Sequence, residues 1–276
     1  MTDRYLVLGH PIEHSKSPMI HTLFAQQTGQ DMIYGSLDVT PGTLPDVLER
    51  LIVQDGVTGM NITVPYKTEA FELCDMVSPR ARRARAVNTL LFNVDSLRGD
   101  NTDGVGLMRD LKNLEFEIEE KRILILGAGG AVRGILEPIL RKSIDGLWIA
   151  NRTVEKAEAL VKEFVDLATT SVEALGFEAI ADQGPFDAVI NATSASLAGE
   201  LPPLPDNLFA EDAWAYDLMY AAQPTPFMQW AEAHGARVAD GLGMLVEQAA
   251  ESFSIWRGVR PDTAPVIAAI RAQLAQ

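Results

Sequence analysis

Three clusters in the first part of the chain hold side chains whose types and spacing suit chemistry. The first is Gly9-His10-Pro11-Ile12-Glu13-His14-Ser15-Lys16-Ser17-Pro18. Two serines two apart, beside a helix start, can aim hydroxyls and helix N–H groups at one anion such as a carboxylate; they can equally be capping residues. The second is Asn61-Ile62-Thr63-Val64-Pro65-Tyr66-Lys67. Alternate side chains of a strand share a face. Asn61 and Thr63 therefore look the same way, and Lys67 follows at the strand's exit. Taken alone, a lysine is by default a solvated surface group. The third joins Asn88 and Thr89 to Gly99-Asp100-Asn101-Thr102-Asp103-Gly104. Singly, Asn101 reads as a turn residue and Asp103 as a helix-start acid.

A different kind of site follows at Gly127-Ala128-Gly129-Gly130-Ala131. A strand running into a glycine turn and then a helix points backbone N–H groups, with the helix dipole behind them, at one spot. Glycine lets that backbone approach a diphosphate closely. The spacing departs from G-x-G-x-x-G, because Val132 fills a glycine position. A tight turn with no ligand is the plain alternative. Beyond the turn, a site for NAD carries an acid about 20 residues on to take the ribose hydroxyls. Here the second strand ends in Ala150-Asn151-Arg152-Thr153, with no carboxylate at its tip. Arg152 can hold a 2′-phosphate through its planar fork, with Lys156 one turn further; otherwise Thr153 caps a helix beside a solvated arginine. The phosphate reading makes the cofactor NADP.

The elements that must carry these residues alternate. Strands are predicted at Tyr5–Gly9, Met32–Asp38, Gly59–Val64, Ala86–Asn93, Arg122–Leu126, Gly146–Ala150, Phe186–Asn191, Trp214–Leu218 and Arg237–Ala239. Helices are predicted at Pro18–Thr28, Thr43–Gln54, Tyr66–Leu73, Asp103–Leu114, after Ala131, and at Thr153–Leu167. Ser17 is expected to cap the first, with Pro18 at its first position. Pro138 lies inside its helix and is expected to kink it. The charged stretch Glu115–Lys121 reads as a seam. Strands alternating with helices imply parallel βαβ units. Two closing helices, Leu245–Trp256 and Thr263–Leu274, have no strand between them.

The chain has 276 residues, a net charge of −15 and one cysteine, Cys74. The charge disfavours nucleic acid and anionic membranes as partners. A lone cysteine excludes an internal disulfide and suits a reducing compartment. The first residues, Met1-Thr2-Asp3-Arg4-Tyr5-Leu6, do not read as a signal peptide, and there is no apolar stretch long enough for a membrane span. A cytoplasmic location is expected, and no metal site. The run Arg80, Arg82, Arg83, Arg85 can attract an anionic substrate, but reads first as a solvated helix face.

Taken in order, the motifs resemble the shikimate dehydrogenase family. They are S-x-S at Ser15 and Ser17, N-x-T-x-P-x-K at Asn61–Lys67, A-V-N-T at Ala86–Thr89, N-T-D-G at Asn101–Gly104 and G-A-G-G-A at Gly127–Ala131. N-R-T at Asn151–Thr153, N-A-T-S at Asn191–Ser194, D-L-x-Y at Asp217–Tyr220 and G-x-G-M-L-x-x-Q at Gly241–Gln248 complete the series.

The resemblance implies an α/β protein with a substrate-binding domain at 1–103 plus 245–276. A Rossmann-type doubly wound NADP domain at 104–244 goes with it, the reaction lying in the cleft between them. It implies NADPH-dependent reversible reduction of 3-dehydroshikimate to shikimate, a step toward chorismate and the aromatic amino acids. Ser15 and Ser17 then hold the substrate carboxylate. Thr63, Asn88, Asp103 and Gln248 take ring hydroxyls, Tyr220 lines the pocket, and Lys67 and Asp103 are the catalytic pair. For NADP, Gly127, Ala128, Gly129, Gly130 and Ala131 match the diphosphate turn. Asn151, Arg152, Thr153 and Lys156 match the adenosine-phosphate clamp. Leu218 and Gly241 match positions near the nicotinamide, with Met244 either beside that ring or in the core. Pro79 stands near where some members carry an acid that touches the cofactor. Quinate-preferring members often have threonine at the second S-x-S position and an acid after the second Rossmann strand; Ser17 and Arg152 differ from both. A non-catalytic relative would not need both Lys67 and Asp103. The expected assembly is a monomer or homodimer.

Overall fold

The computed structural model describes residues 2–93, 96–193, 195 and 199–275. Met1 and Ser194 of the sequence reading lie outside them. The chain divides into two compact units, one comprising Met1–Gly106 with Leu245–Leu274, the other Leu107–Met244.

The first unit opens with β1 (Asp3–Gly9), α1 (Ser17–Thr28), β2 (Met32–Asp38), α2 (Leu44–Val53) and β3 (Val57–Ile62). Then come α3 (Lys67–Leu73), β4 (Met76–Val77), α4 (Pro79–Ala84), β5 (Thr89–Asn93), β6 (Ser96–Asp100) and the start of α5 (Asp103–Asn113). Its sheet has the order β2-β1-β3-β5-β6-β4. β1 lies parallel to both β2 and β3, whereas β5 runs antiparallel to β3 and β6.

Several expected boundaries move. Lys16, not Ser17, precedes α1, with no side-chain cap. Lys16 is already in the helical region (φ −87, ψ −5) and its carbonyl takes the Ile20 N–H, so the ladder starts there and Pro18 is the second helical residue. β3 stops at Ile62. Thr63 still donates its N–H to Leu8, but its carbonyl then takes the Tyr66 N–H, so the chain turns and Lys67 begins a helix. β5 begins at Thr89, leaving Asn88 just ahead of it.

The second unit continues α5 from Leu107 and adds β7 (Arg122–Leu126), α6 (Gly130–Leu140), β8 (Gly146–Ala150), α7 (Val154–Phe164) and β9 (Val172–Leu175). β10 (Phe186–Asn191), β11 (Phe209–Asp217), α8 (Pro226–Ala233), β12 (Arg237–Asp240) and the start of α9 (Leu242–Arg257) complete it. The sheet order is β12-β11-β10-β7-β8-β9 and every pairing is parallel. That is the doubly wound dinucleotide-binding order, reversing direction between β7 and β10. β7 explains the layering: Ile123 and Ile125 join one apolar cluster, Leu124 and Leu126 another. A strand apolar on both faces requires helices on both.

The stretch 115–121 is no seam: Phe116 and Ile118 are buried in the second unit's core. Pro138 lies within α6 without ending it. α9 and α10 (Ala264–Leu274) close the chain.

Candidate active site

In the first unit, Lys67 Nζ donates to Asp103 Oδ2 at 2.5 Å, with the side chains 16% and 5% exposed. Lys67 is brought there by the turn after β3, Asp103 by the start of α5. The Asp103 N–H is taken by Asn101 Oδ1 at 3.1 Å. The other carboxylate oxygen, Oδ1, accepts from Asn88 Nδ2 at 2.8 Å. The same amide group of Asn88 faces Gln248 Oε1 at 3.1 Å, and Asn88 Oδ1 accepts the Thr102 N–H at 2.9 Å. Four of the predicted residues, Lys67, Asn88, Asp103 and Gln248, thus form one continuous hydrogen-bonded set.

Beneath them lies a buried layer. Asn61 Nδ2 reaches the Asn88 carbonyl at 3.0 Å, Ser252 Oγ at 3.1 Å and Thr89 Oγ1 at 3.3 Å. Its Oδ1 accepts the Tyr34 hydroxyl at 2.7 Å, which fixes which way the amide points. Buried polar groups so mutually satisfied hold one geometry and are costly to disturb. Against Tyr34 stacks His21, ring centroids 4.1 Å apart and planes within 6°. Among the described residues neither nitrogen of its buried ring has a hydrogen-bond partner within bonding geometry, and burial pushes its pKa down to about 3.

Ser15 and Ser17 stand at the opening of α1, where Ser15 Oγ accepts the Ser17 N–H at 3.3 Å. Ser17 is buried and Ser15 half-buried. Thr63 is half-buried in the turn between β3 and α3. The arginine run is not uniformly a solvated face. Arg82 and Arg85 are exposed, but Arg80 is ion-paired with Asp100 at 2.7 Å and Glu251 at 3.2 Å. Two carboxylates within its reach draw it onto the protein.

In the second unit, Gly127 ends β7 with φ +107, which only glycine adopts without strain, and a Cβ there would sit 3.2 Å from the Ala192 backbone. Gly129 and Gly130 differ. Neither has a positive φ, and a Cβ on either would meet nothing among the described residues within 4 Å. Packing does not demand glycine at these two positions, whereas close approach of a diphosphate does. Ala128 and Ala131 flank them half-buried, and α6 begins at Gly130 with its first N–H groups unclaimed by a side-chain cap. At the end of β8, Asn151 Nδ2 donates to the Thr153 carbonyl at 2.8 Å, holding the turn, while Arg152, Thr153 and Lys156 are exposed. Thr153 occupies the cap position of α7 but makes no side-chain cap. These residues fit a diphosphate followed by a ribose phosphate.

Gly241 and Leu218 meet beyond the ends of β12 and β11. Met244 is 8% exposed and packs in the unit's core cluster. Burial raises the pKa of the Tyr220 hydroxyl, helped by the Asp240 charge. Sequence reasoning did not single out Ser252, Tyr34 or Thr102 as supports. Thr102 lay within a quoted motif; the other two carry no local signal, being ordinary residues of a helix and a strand.

Comparison with known proteins gives one answer along the chain. Residues 7–90 match the model of the shikimate dehydrogenase substrate binding domain, 110–198 that of shikimate / quinate 5-dehydrogenase, and 241–271 that of the shikimate 5'-dehydrogenase C-terminal domain. A shikimate dehydrogenase (NADP(+)) of Alkalilimnicola ehrlichii is 58% identical over 274 residues, covering 98% of this chain and 99% of its own. A crystal structure of shikimate 5-dehydrogenase from Thermus thermophilus with NADP(H) and shikimate superposes with a TM-score of 0.87 at 34% identity, over 99% of this chain and 100% of that one. A shikimate dehydrogenase structure in complex with NADP+ gives a TM-score of 0.89 at 32% identity, over 100% and 96%.

Proposed function

This chain belongs to the shikimate dehydrogenase family, and from that membership we propose how its residues carry out the NADPH-dependent, reversible reduction of 3-dehydroshikimate to shikimate. It is an oxidoreductase acting on a CH–OH group, with NADP as cofactor. The observation that carries the residue roles is the Lys67–Asp103 pair, half-buried at the lysine and buried at the acid, with Asn88 and Gln248 on the same hydrogen-bonded set.

NADPH, when bound, supplies the hydride to the ketone carbon. Negative charge grows on the ketone oxygen as this happens. Lys67 Nζ stabilises that charge and donates the proton that completes the hydroxyl. In the reverse direction the neutral amine accepts the hydroxyl proton. Asp103 holds the ammonium and orients a ring hydroxyl. Thr63, Asn88 and Gln248 hold the ring hydroxyls, Ser15 and Ser17 the carboxylate, and Tyr220 lines the pocket.

Gly127 to Ala131 and the start of α6 would hold the diphosphate. Asn151, Arg152, Thr153 and Lys156 would hold the adenosine phosphate; Leu218, Gly241 and Met244 are assigned to the nicotinamide end. The absence of a carboxylate at the tip of β8 supports NADP over NAD.

No described helix is long and apolar enough to cross a membrane. The net charge of −15 disfavours nucleic acid and anionic membranes as partners. It works as a monomer or homodimer.

The test is an absorbance assay at the reduced-nicotinamide band, crossing shikimate and quinate with NADP and NAD. The expected result is fastest turnover with shikimate and NADP. Quinate turned over faster than shikimate, or NAD preferred to NADP, would overturn the corresponding part of the reading.

A further inference from the structure

Arg80, left without a role above, sits where the first unit's charges converge. Its guanidinium grips Asp100 as a fork, Nε to Oδ1 at 2.7 Å and Nη2 to Oδ2 at 2.9 Å. Its third nitrogen, Nη1, donates to Glu251 Oε1 at 3.2 Å. Asp100 is tied by its neighbours as well: Oδ1, the oxygen that takes Arg80 Nε, also accepts from Ser78 Oγ at 2.5 Å and from the Asn101 N–H at 2.7 Å. Asn101 then holds the Asp103 N–H, and the Asp100 carbonyl takes the Asn88 N–H at 3.0 Å. Glu251 lies three residues beyond Gln248, on the same face of α9. Arg260 braces that face by bonding Glu251 at 3.3 Å and Glu247 at 2.5 Å.

We propose that Arg80 is a positioning residue for the reaction: through Asp100 it fixes the Asn101–Asp103 turn, and through Glu251 the stretch of α9 that bears Gln248. The acid that pairs Lys67 and the amide that takes a ring hydroxyl are thereby held at one separation. The inference rests on the roles given to Lys67, Asp103 and Gln248 above. The side chain must be arginine, because only a planar fork serves one carboxylate with two N–H groups while a third reaches another. Burial works to raise the Asp100 carboxyl, yet the Arg80 and Ser78 hydrogen bonds hold its pKa below the ordinary carboxylate value, so the clamp is an ion pair. An arginine that merely fastened α4 to the sheet would affect melting and leave turnover alone.

The experiment uses the full chain and three variants, Arg80→Met, Arg80→Lys and Glu251→Gln, each assayed with shikimate and NADP at a temperature where circular dichroism reports it folded. Arg80→Met should lower kcat by about 10-fold to 10²-fold, the scale of a displaced catalytic group. Arg80→Lys should restore only part of that loss. Glu251→Gln should raise the shikimate KM several-fold with kcat close to wild type, the mark of lost uniform binding. Titration of reduced-nicotinamide fluorescence, without shikimate, should give one NADPH dissociation constant for all. A folded Arg80→Met with wild-type kcat and shikimate KM would overturn the proposal. So would a loss of NADPH affinity as large as the loss of kcat. A wild-type chain that does not oxidise shikimate would overturn the underlying roles and this inference with them.

Discussion

A Cβ on Gly241 would stand 2.2 Å from the Leu218 carbonyl oxygen and 2.7 Å from its carbonyl carbon, so these two residues meet backbone to backbone. The Gly241 N–H completes the contact by donating to Met219 at 3.2 Å. The contact lies beyond the carboxyl ends of β11 and β12, the edge of an open parallel sheet where ligands bind. A side chain there cannot be accommodated by swinging aside a flexible neighbour, because the obstacle is main chain. Gly241→Ala should therefore cost about 1–3 kcal/mol, as overpacking does, and weaken NADP as well. A melting midpoint and an NADP affinity both at wild-type values would refute it.

Lys67→Ala removes the proposed proton donor. Turnover should fall by about 10²-fold to 10⁴-fold, the range for a positioned acid–base group. NADP affinity, proposed to rest on the other unit's residues, should change little. Steady-state kinetics beside a direct NADP titration separates the two. Near wild-type turnover would end the assignment.

Arg152→Ala should weaken NADP far more than NAD, because the side chain is proposed to meet the 2′-phosphate that only NADP has. Dissociation constants for both nucleotides, on wild type and variant, give the comparison. An equal loss for the two would show that Arg152 does not read the phosphate.

His21 makes stability depend on acid. The unfolded side chain titrates near its ordinary value of about 6.5, the folded one only at about 3, because burial opposes its charge. Between those values the unfolded chain binds more protons, so stability falls as pH drops through that window. His21→Phe keeps a ring against Tyr34 and removes this dependence. Its melting midpoint should fall less steeply than wild type between about pH 6.5 and about pH 4. Parallel curves for the two proteins would contradict the account.

What the sequence made legible follows from how much each residue's neighbours in the chain decide. β7, β8 and β10 stand where expected, because strands apolar on both faces read clearly without context. β4, of two residues, and β9, of four, were missed; both are sheet edges with too few residues to show a period. β6, Ser-Leu-Arg-Gly-Asp, carries glycine and charge where a strand pattern wants apolar residues, and its pairing with β5 and β4 makes it one. The Lys67–Asp103 pair was named from motifs. Its supports could not be, since Ser252 meets Asn61 across 191 positions and Arg80 meets Glu251 across 171. Arg80 shows the limit plainly. In sequence it is one of four arginines in a row of charges, and only the fold brings two carboxylates to it.

The first unit is interrupted in sequence, leaving at Gly106 and resuming at Leu245. A ribosome emits the chain from its N-terminus, so all of the parallel sheet emerges before α9 does. At about 5–20 residues per second, Asn61, Asn88, Thr89 and Thr102 wait on the order of ten seconds for Gln248 and Ser252. Until then their amides and hydroxyls have water where α9 will be. The parts proposed to grip the substrate are thus joined last, and the whole parallel sheet of the nucleotide unit has left the ribosome before the chain can recognise anything to reduce.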